Sequence, residues 1–345
     1  MKQIQLTNKK TFQLAEVKNP ELINTNDVLV KMKSIGVCGS DIHYFEDGQI
    51  GDQKIIFPFT IGHEGSGIIE EIGSNVNDLK VGDRVAIEPA ISCGECDQCL
   101  NQRPHTCLNL SFIGCPGQRS GCLSEFLPVP SKNCIKIPDD MTYQEATFAE
   151  PLSIGIYAVE QSKAMNHSNP TMGILGSGPI GLSVLSYLNT LNLNDVLISD
   201  PLQDRLHIAK SIGCNKTITP DLIDNEQDKF LNSFDIIYEC CGQEDSFQQA
   251  FQLLKPGGEL VIVGIPPTLD HWQLPVGLSR RKEITIKNIR RQNNCMEKAL
   301  ELIGLKKIQT DKLITHNFNL EQTQEAFDLV SGYQDGILKA MINIS

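Results

Sequence analysis

Residues 171–181 read TMGILGSGPIG, a short apolar strand running into a glycine-rich turn. From residue 180 to about residue 192 the apolar positions recur at helical spacing. Gly176, Gly178 and Gly181 therefore fit G-x-G-x-x-G, with a strand before the turn and a helix after it. The first glycine permits the tight turn, and the helix N-terminus offers N–H groups and a positive dipole end to a pyrophosphate. The stretch predicts a dinucleotide-binding turn.

An acidic residue follows at the distance that such a turn requires. Asp200 ends the next predicted strand, Val196–Ser199, and lies 19 residues beyond Gly181. A carboxylate there accepts hydrogen bonds from the ribose hydroxyls of adenosine and repels a 2′-phosphate. The spacing therefore favours NAD over NADP. The plain alternative is a structural turn that binds nothing, which would leave the coincidence of strand, turn and acid unexplained.

The patterns on either side of this turn predict two domains. Beyond it, strand-like segments between residues 196 and 289 alternate with helices, which indicates a parallel sheet with right-handed crossovers. The first 150 residues are rich in Gly and Pro, with short alternating runs typical of antiparallel strands and no long helical periodicity before about Tyr143. A strand-like tail at 336–344 follows further helices. We expect an α/β chain in which a doubly wound domain is inserted near the C-terminal end of a β-rich domain.

The composition restricts the partners. Among 345 residues, 30 Lys and Arg face 42 Asp and Glu, a net charge of −12, which argues against nucleic acid or an anionic membrane. No apolar run approaches the roughly 20 residues that span a bilayer. The N-terminus, MKQIQLTNKK, lacks the apolar core of a signal peptide, so we expect a cytoplasmic protein. Its 12 cysteines are then more typical of metal binding than of disulfides.

Four of the cysteines form one local pattern, C-x2-C-x2-C-x7-C, in a polar segment. Thiolates at these spacings can close on one tetrahedral ion, and four of them leave no position open for chemistry. The other interpretations are an iron–sulfur cluster, a zinc ribbon for nucleic acid, or coincidence. The loop carries Arg103 as its nearby cation, which disfavours nucleic acid. We predict a structural zinc held by Cys93, Cys96, Cys99 and Cys107.

Candidates for a second metal are scattered along the β-rich half. Cys38 follows a predicted strand, His63 and Glu64 are adjacent in a glycine-rich segment, and Glu150 precedes Pro151. A catalytic zinc takes three protein ligands and keeps one exchangeable position, and these donor types suit it. No local spacing shows that the four residues converge, and each alone could equally be a packing residue.

The motifs in this order resemble the zinc-dependent medium-chain dehydrogenases, in particular their polyol (sorbitol and xylitol) dehydrogenase branch. The resemblance implies a GroES-like catalytic domain at 1–152, to which 289–345 return, and a Rossmann NAD-binding domain at 153–288. It is nearly end to end and rests on 36–44 (GVCGSDIHY), 62–67 (GHEGSG), 81–85 (VGDRV), 150–153 (EPLS), the four-cysteine loop and the glycine turn.

The resemblance also implies a ligand set for the catalytic zinc. Cys38, His63 and Glu64 would hold the metal, and Glu150 would be a further ligand or hold a water beside it. Two carboxylates in place of a second thiolate make a harder site, which suits an oxygen-rich substrate. Asp41 would fix the tautomer of the ligand histidine.

The implied activity is NAD-dependent oxidation of a secondary hydroxyl of a polyol, giving a ketose. Zinc would act as a Lewis acid on the hydroxyl, and NAD would accept the hydride. Ser40 and His43 fall at the positions of the family's proton relay, although in the polyol branch a zinc-bound water near Glu150 could carry the proton instead. The alternatives are an L-threonine 3-dehydrogenase, a dehydrogenase of butanediol or another secondary alcohol, and a zinc- and nucleotide-binding protein without catalysis.

The remaining implied residues surround the substrate and the cofactor. Tyr44, Phe112 and Arg291 fall near substrate-contact positions, and Gln292 stands where the family often has Tyr. Arg290, adjacent to Arg291, is an alternative for the same position. The implied partners are a polyol and further copies of the chain in a dimer or tetramer. The implied cofactor-binding set consists of Gly176, Gly178, Pro179, Ile180, Gly181, Asp200 and Arg205.

Overall fold

The computed structural model describes residues 1–266 and 271–345, and for Gln227 it describes the backbone alone. Contacts within the chain divide it into two compact units. The first consists of Met1–Glu150, Met296–Leu305 and Ile314–Ser345, and the second of Pro151–Cys295 and Lys306–Leu313. The second unit therefore begins slightly before the expected boundary at 152/153, ends after the one at 288/289, and takes in one later segment.

Short strands dominate the first part of the chain and alternate with helices in the middle. The strands of the described residues are β1 (Lys2–Asn8), β2 (Thr11–Glu16), β3 (Asp27–Gly36), β4 (Gln49–Ile50), β5 (Gln53–Lys54), β6 (Glu64–Ile72), β7 (Arg84–Ile87), β8 (Ala90–Ile91), β9 (Ser111–Phe112), β10 (Phe126–Pro130), β11 (Cys134–Lys136), β12 (Met172–Leu175), β13 (Val196–Ser199), β14 (Lys216–Ile218), β15 (Phe234–Glu239), β16 (Leu254–Ile262), β17 (Thr285–Asn288), β18 (His316–Asn319) and β19 (Ala340–Asn343).

Most helices follow residue 143. The α-helices of the described residues are α1 (Gly39–Asp47), α2 (Asp97–Leu100), α3 (Tyr143–Gln161), α4 (Pro179–Thr190), α5 (Gln203–Ser211), α6 (Pro220–Asn225), α7 (Gln227–Phe230), α8 (Glu244–Leu253), α9 (Val276–Lys282), α10 (Met296–Gly304), α11 (Thr310–Leu313) and α12 (Thr323–Ser331).

A parallel sheet organises the described part of the second unit. Its strands lie in the order β14-β13-β12-β15-β16-β17, and every neighbouring pair is parallel. β12 is buried along its whole length, as a strand covered on both faces must be. The strand order reverses between β12 and β15, and a doubly wound sheet binds its ligand outside the carboxyl ends of the strands at such a point. The predicted doubly wound sheet is confirmed.

A mostly antiparallel sheet organises the first unit, in the order β11-β7-β6-β3-β19-β18, with β10 also paired to β3. β3 pairs with β6 along most of its length, and this register sets Gly36 opposite Glu64. The end of β3 therefore lies beside the start of β6. This pairing brings Cys38, which follows β3, into the same region as Glu64, which begins β6.

A helix that the sequence pattern did not indicate begins directly after β3. α1 ends at Gly48, whose positive φ of 71° gives the left-handed conformation that stops a helix. It buries Asp41, Tyr44 and Phe45, and the ring of Phe45 stacks on that of Phe12 at 5.4 Å. Because this helix has nine residues and its buried face is partly polar, its periodic signal is too short to be recognised. The sequence pattern therefore indicated no helix ahead of about Tyr143.

Candidate metal and dinucleotide sites

The four cysteines of the local pattern lie together in the first unit. Their sulfur atoms are 3.5 Å apart in the pairs Cys96–Cys99 and Cys93–Cys107, 3.7 Å in Cys96–Cys107 and 3.9 Å in Cys93–Cys99. Four sulfurs at about 2.3 Å from a zinc form a tetrahedron with edges of about 3.8 Å. These separations far exceed a disulfide bond of about 2.05 Å. The geometry fits a closed zinc site.

Backbone N–H groups of the same loop point at the sulfur atoms. Leu108 N donates to Cys96 Sγ at 3.4 Å, and Cys93 N donates to Cys107 Sγ at 3.3 Å. Hydrogen bonds from the backbone of Cys99 and Leu108 lower the pKa of Cys96 to about 6. Since the thiolate is the form that binds metal, the local backbone prepares this ligand without help from a distant side chain.

The residues Cys38, His63 and Glu64 meet in the first unit although they come from separate segments. One ligand atom from each lies within 4.8 Å of the others, and Cys38 is half-buried while the other two are buried. Cys38 is the residue before α1, and Glu64 is the first residue of β6. Within the described ranges, this group and the four cysteines are the two sets of side chains that could hold a metal in this way.

Asp41 connects two of these three residues. Its Oδ2 accepts a hydrogen bond from Cys38 N at 3.1 Å, and its Oδ1 lies 3.2 Å from His63 Nδ1. Burial lowers the pKa of His63, but the charges of Asp41 and Cys38 outweigh it and raise that pKa well above the ordinary value. An Nδ1–H donated to Asp41 leaves Nε2 as the nitrogen available to a metal.

Glu64 is held by a residue that sequence reasoning missed. Lys339 Nζ donates to both carboxylate oxygens of Glu64, at 2.7 and 2.8 Å, and to the carbonyl of Val37 at 3.1 Å. Both side chains are buried. A Cβ at Gly36 would overlap Glu64 Oε2, so the missing side chain leaves room for the carboxylate. A lone lysine inside the apolar tail 337–344 was the available signal.

Glu150 lies on α3 and is not one of the three clustered residues. Burial raises the pKa of Glu150 to about 8, Glu64 and Glu88 shift it in the same direction, and His63 opposes them. The carboxyl group therefore senses the charges of the cluster and titrates near neutral pH in the metal-free chain. Of the four predicted ligands, the structure clusters three and places the fourth in electrostatic range.

Two predicted substrate residues of the first unit have defined neighbours. The ring of Phe112 lies 5.3 Å from the ring of His63, measured between centroids. Tyr44 is buried on α1, and its hydroxyl donates to Gln53 Oε1 at 2.9 Å. Phe112 therefore borders the cluster, whereas Tyr44 links α1 to the short hairpin of β4 and β5.

The predicted relay residues Ser40 and His43 lie three positions apart on α1, the spacing that puts two side chains on one helix face. Burial lowers the pKa of His43, although Asp47 and Glu46 act in the opposite direction. A neutral imidazole near pH 7 is able to accept a proton.

The glycine turn of the second unit has the backbone that its sequence demands. Gly176 has a φ of 97°, and a Cβ at Gly181 would overlap the carbonyl oxygen of Gly176. Gly178 precedes α4, whose first two residues are Pro179 and Ile180. The turn thus leads directly into a helix N-terminus at the carboxyl edge of the sheet, which is where a pyrophosphate binds in this architecture.

Asp200 is buried beside this turn. Its Oδ2 accepts a hydrogen bond from Ser177 N at 2.8 Å, and its Oδ1 accepts one from Leu202 N at 2.9 Å. Arg205 Nη1 lies 4.0 Å from Asp200 Oδ2 and 3.6 Å from the place a Cβ would take at Gly178. The carboxylate therefore braces the turn, and its remaining lone pairs are what a ribose could use.

Arg291 belongs to the second unit. It has a positive φ of 54° and is half-buried, whereas Arg290 is exposed. Gln292 is 8 % exposed, and its Oε1 accepts a hydrogen bond from Cys295 N at 2.7 Å. The glutamine that departs from the family pattern thus supports the backbone just before α10.

Known proteins with the same sequence features identify the family. Residues 24–139 match the family model of the alcohol dehydrogenase GroES-like domain, and residues 179–304 match that of zinc-binding dehydrogenases. The sorbitol dehydrogenase of Bacillus subtilis (strain 168) is 32% identical over 346 residues, covering 99% of this chain and 97% of that protein. The chain belongs to the zinc-dependent medium-chain dehydrogenases.

A second relative and a solved structure are similar to most of this chain. The L-idonate 5-dehydrogenase of Vitis vinifera is 33% identical, over 92% of this chain and 88% of that protein. A crystal structure of a short chain alcohol dehydrogenase from E. coli CFT073 complexed with NADH superposes with a TM-score of 0.87 at 27% identity, covering 99% of each chain. The predicted family, its polyol branch and the dependence on zinc and a nicotinamide dinucleotide are confirmed.

One structural observation concerns membranes. In the part of the chain that the structure describes, no helix has both the length and the apolar character needed to cross a bilayer.

All twelve cysteines lie in that part, and none is paired in a disulfide. Seven of them remain outside the two clusters, as Cys115, Cys122, Cys134, Cys214, Cys240, Cys241 and Cys295.

Proposed function

We propose that this dehydrogenase oxidises a secondary hydroxyl of an open-chain polyol to a ketone, with NAD as the hydride acceptor. The observation that carries the proposal is the cluster of Cys38, His63 and Glu64, in which the histidine and the glutamate are buried. One thiolate with an imidazole and a carboxylate is a harder donor set than two thiolates, and it suits a hydroxyl-rich substrate. The names of the sorbitol and L-idonate dehydrogenase relatives both point to an open-chain, hydroxyl-rich substrate.

We assign the two clusters to two zinc ions, the Cys38 cluster to a catalytic ion and the four cysteines to a structural ion. When bound, the catalytic ion supplies a Lewis acid that lowers the pKa of a substrate hydroxyl, and the nicotinamide takes the hydride. Asp41 orients His63, and Lys339 fixes both oxygens of Glu64. The ring of Phe112 lies beside His63 and borders the cluster.

The proton released by the hydroxyl needs an acceptor, and we assign this role to the carboxylate oxygens of Glu150. Glu150 is buried and interacts electrostatically with His63 and Glu64 of the cluster, which supports this role. Ser40 and His43 form the second candidate route, because the imidazole is neutral near pH 7. The pH dependence of kcat in Glu150→Gln and His43→Ala distinguishes the two routes. The variant that lacks the proton acceptor should lose the increase of kcat with pH, and the other variant should keep it.

The remaining proposals concern cofactor binding, substrate contacts, cellular location and oligomeric state. Asp200 beside the glycine turn, with Arg205 next to it, would accept hydrogen bonds from the ribose hydroxyls of NAD and would disfavour NADP. Tyr44 and Arg291 are proposed to contact the polyol. Twelve cysteines outside disulfides suit the cytoplasm, where thiols stay reduced, and we expect a homodimer or homotetramer.

A substrate panel tests the function. Steady-state rates with NAD are measured for sorbitol, xylitol, galactitol, L-threonine and butanediol. We expect kcat/KM to be highest for one of the polyols and to fall at least about tenfold for threonine and butanediol, because these lack the row of hydroxyls that the site recognises. A higher kcat/KM for threonine or butanediol than for every polyol would overturn the proposed substrate class.

A further inference from the structure

The carboxyl edge of the parallel sheet contains a buried acid that the proposed function does not use. Glu239 is the last residue of β15 and is 0 % exposed. Its Oε1 accepts three hydrogen bonds, each of 2.8 Å, from Cys241 N, Gly242 N and Ser246 Oγ. One oxygen atom therefore fixes the loop after β15 and ties it to the first turn of α8.

The same residue holds a second loop through its backbone. The carbonyl oxygen of Glu239 accepts hydrogen bonds from Val263 N at 2.8 Å and Gly264 N at 2.9 Å, just after β16. The two loops also touch, because a Cβ at Gly264 would overlap Gly242 N and lie 2.6 Å from Glu239 Oε2. Four backbone donors from two neighbouring loops and one hydroxyl donor from α8 therefore converge on one residue.

The second oxygen of the carboxyl group is unusual. Glu239 Oε2 is buried and, among the described residues, has no hydrogen-bond partner. Burial raises the pKa of Glu239, while its hydrogen bonds from Ser246 and the loop backbone lower it. A buried carboxyl oxygen without a partner costs stability, so packing alone does not account for an acid at this position.

The loop after β15 lies against the glycine turn. Cys240 N donates to the carbonyl of Leu175 at 2.8 Å, and a Cβ at Gly176 would lie 2.8 Å from Cys241 Sγ. In a doubly wound sheet the dinucleotide lies across the reversal of strand order, with one mononucleotide on each half. The glycine turn and Asp200 belong to the half that takes adenosine, so the loops held by Glu239 line the half that takes the nicotinamide.

We propose that Glu239 is a positioning residue for the nicotinamide half of the cofactor. It acts through the loops at 240–242 and 263–265, whose backbone it fixes, and not by touching the ring. The inference rests on the proposed function, because it presupposes that a dinucleotide binds at this edge. It predicts that the two halves of the cofactor respond differently when Glu239 is changed.

The test compares the binding of NADH and of ADP-ribose, which lacks the nicotinamide, to the zinc-loaded full chain by titration calorimetry. Glu239→Ala should raise the Kd of NADH at least about tenfold, since three donors lose their acceptor, and change the Kd of ADP-ribose less than about twofold. Glu239→Gln keeps an oxygen acceptor and should restore the Kd of NADH to within about threefold of wild type.

A matched control is a second buried glutamate of the same sheet. Glu259 on β16 is 1 % exposed and accepts a hydrogen bond from Lys163 N at 2.6 Å. In the sheet, Glu259 pairs with Ile236 and Thr285. It lies three positions before Ile262, the last residue of β16, and is therefore away from the carboxyl edge. Glu259→Ala should lower the thermal midpoint and leave the ratio of the two Kd values unchanged.

If Glu239→Ala does not fold, Ser246→Ala decides, because it removes one of the three donors and leaves the acid in place. It should weaken NADH about threefold without changing ADP-ribose. Equal weakening of both ligands, or no weakening of NADH in any Glu239 or Ser246 variant, would overturn the inference. A wild-type chain that binds neither ligand would contradict the proposed function instead.

Discussion

The two metal clusters of the first unit are built in opposite ways. The four cysteines lie within 15 residues, 93–107, and their sulfurs receive hydrogen bonds from backbone N–H groups of the same loop. The other cluster takes Cys38, His63 and Glu64 from separate segments and depends on distant side chains for its support. A local loop can close around a metal by itself, whereas the second cluster forms only when the sheet has assembled.

The two clusters differ in the number of ligands, and we expect one to contribute to stability and the other to catalysis. Four thiolates complete a tetrahedral shell and leave no position for a substrate, while three ligands leave one. Cys93, Cys96 and Cys99 are half-buried on the four-cysteine loop, but His63 and Glu64 are enclosed. We therefore expect substitutions in the first cluster to change the stability of the chain, and those in the second to change turnover.

The largest effect is expected from Cys38→Ser, which removes a ligand of the assembled cluster. Turnover should be abolished, zinc content should fall from two ions to one per chain, and NADH affinity should stay within about twofold, since the glycine turn is unchanged. Metal analysis, steady-state rates and NADH titration measure the three quantities. A variant that keeps full activity would exclude Cys38 as a ligand.

Cys96→Ser is the matched change in the local cluster, and it should give the converse result. One zinc ion per chain is lost again, but the thermal midpoint should fall by at least about 5 °C because a structural zinc contributes its binding energy to folding. At low temperature the folded fraction should keep its kcat. Loss of turnover with an unchanged thermal midpoint would remove the distinction between the clusters.

The same contrast explains what could be predicted from the sequence. The spacing of the four cysteines and the glycine turn are local signals, and both sites have the geometry that those signals suggest. The ligands of the second cluster converge because β3 pairs with β6 in the register that sets Gly36 opposite Glu64, a long-range choice that no spacing encodes. The resemblance to a family supplied that information for Cys38, His63 and Glu64.

Side chains that support a site are harder still to foresee. Lys339 lies 275 positions from Glu64 and reaches it because β19 pairs with the end of β3. α1 was also missed, since its buried face of Asp41, Tyr44 and Phe45 mixes polar and apolar residues. Residues that carry the chemistry can be recognised by their sequence motifs, whereas the residues that support them can be recognised only from the strand pairing of the folded chain.

The ion pair of Lys339 and Glu64 tests how strongly the assembled cluster depends on such support. Lys339→Met leaves a buried carboxylate without its partner and should lower the free energy of unfolding by about 3–5 kcal/mol, measured by urea denaturation of zinc-free protein. Adding Glu64→Gln to it should recover part of the loss. The control is Lys2→Met, which breaks a pair of similar length, 2.6 Å, that is exposed to solvent.

We expect no measurable change in the denaturation midpoint of the Lys2 variant, because exposed pairs contribute little. An equal response of the two lysine variants would mean that burial does not distinguish these pairs.

The pH dependence of stability sharpens the contrast further. The folded pKa of Glu150, raised to about 8 by burial, lies above its ordinary value of 4.5. The folded chain therefore keeps a proton that the unfolded chain releases, so this contribution is complete below about pH 4.5 and is lost as the pH rises to about 8. Zinc-free wild type should lose stability over this window, and Glu150→Gln should lose less. Parallel curves would contradict the raised pKa.

The smallest effect is expected at Asp41, which touches two ligand residues but would not touch the metal. Asp41→Ala removes the acceptor of Cys38 N and the partner of His63 Nδ1, so both ligands gain freedom without being lost. Zinc affinity of the catalytic site should fall about 10–100-fold, the usual effect of losing such a partner, while the four-cysteine site keeps its metal. Competition with a chelator measures both sites, and Asp41→Asn, which keeps an oxygen acceptor, should restore part of the affinity. If both sites weakened together, Asp41 would act on the fold of the unit and not on the orientation of His63.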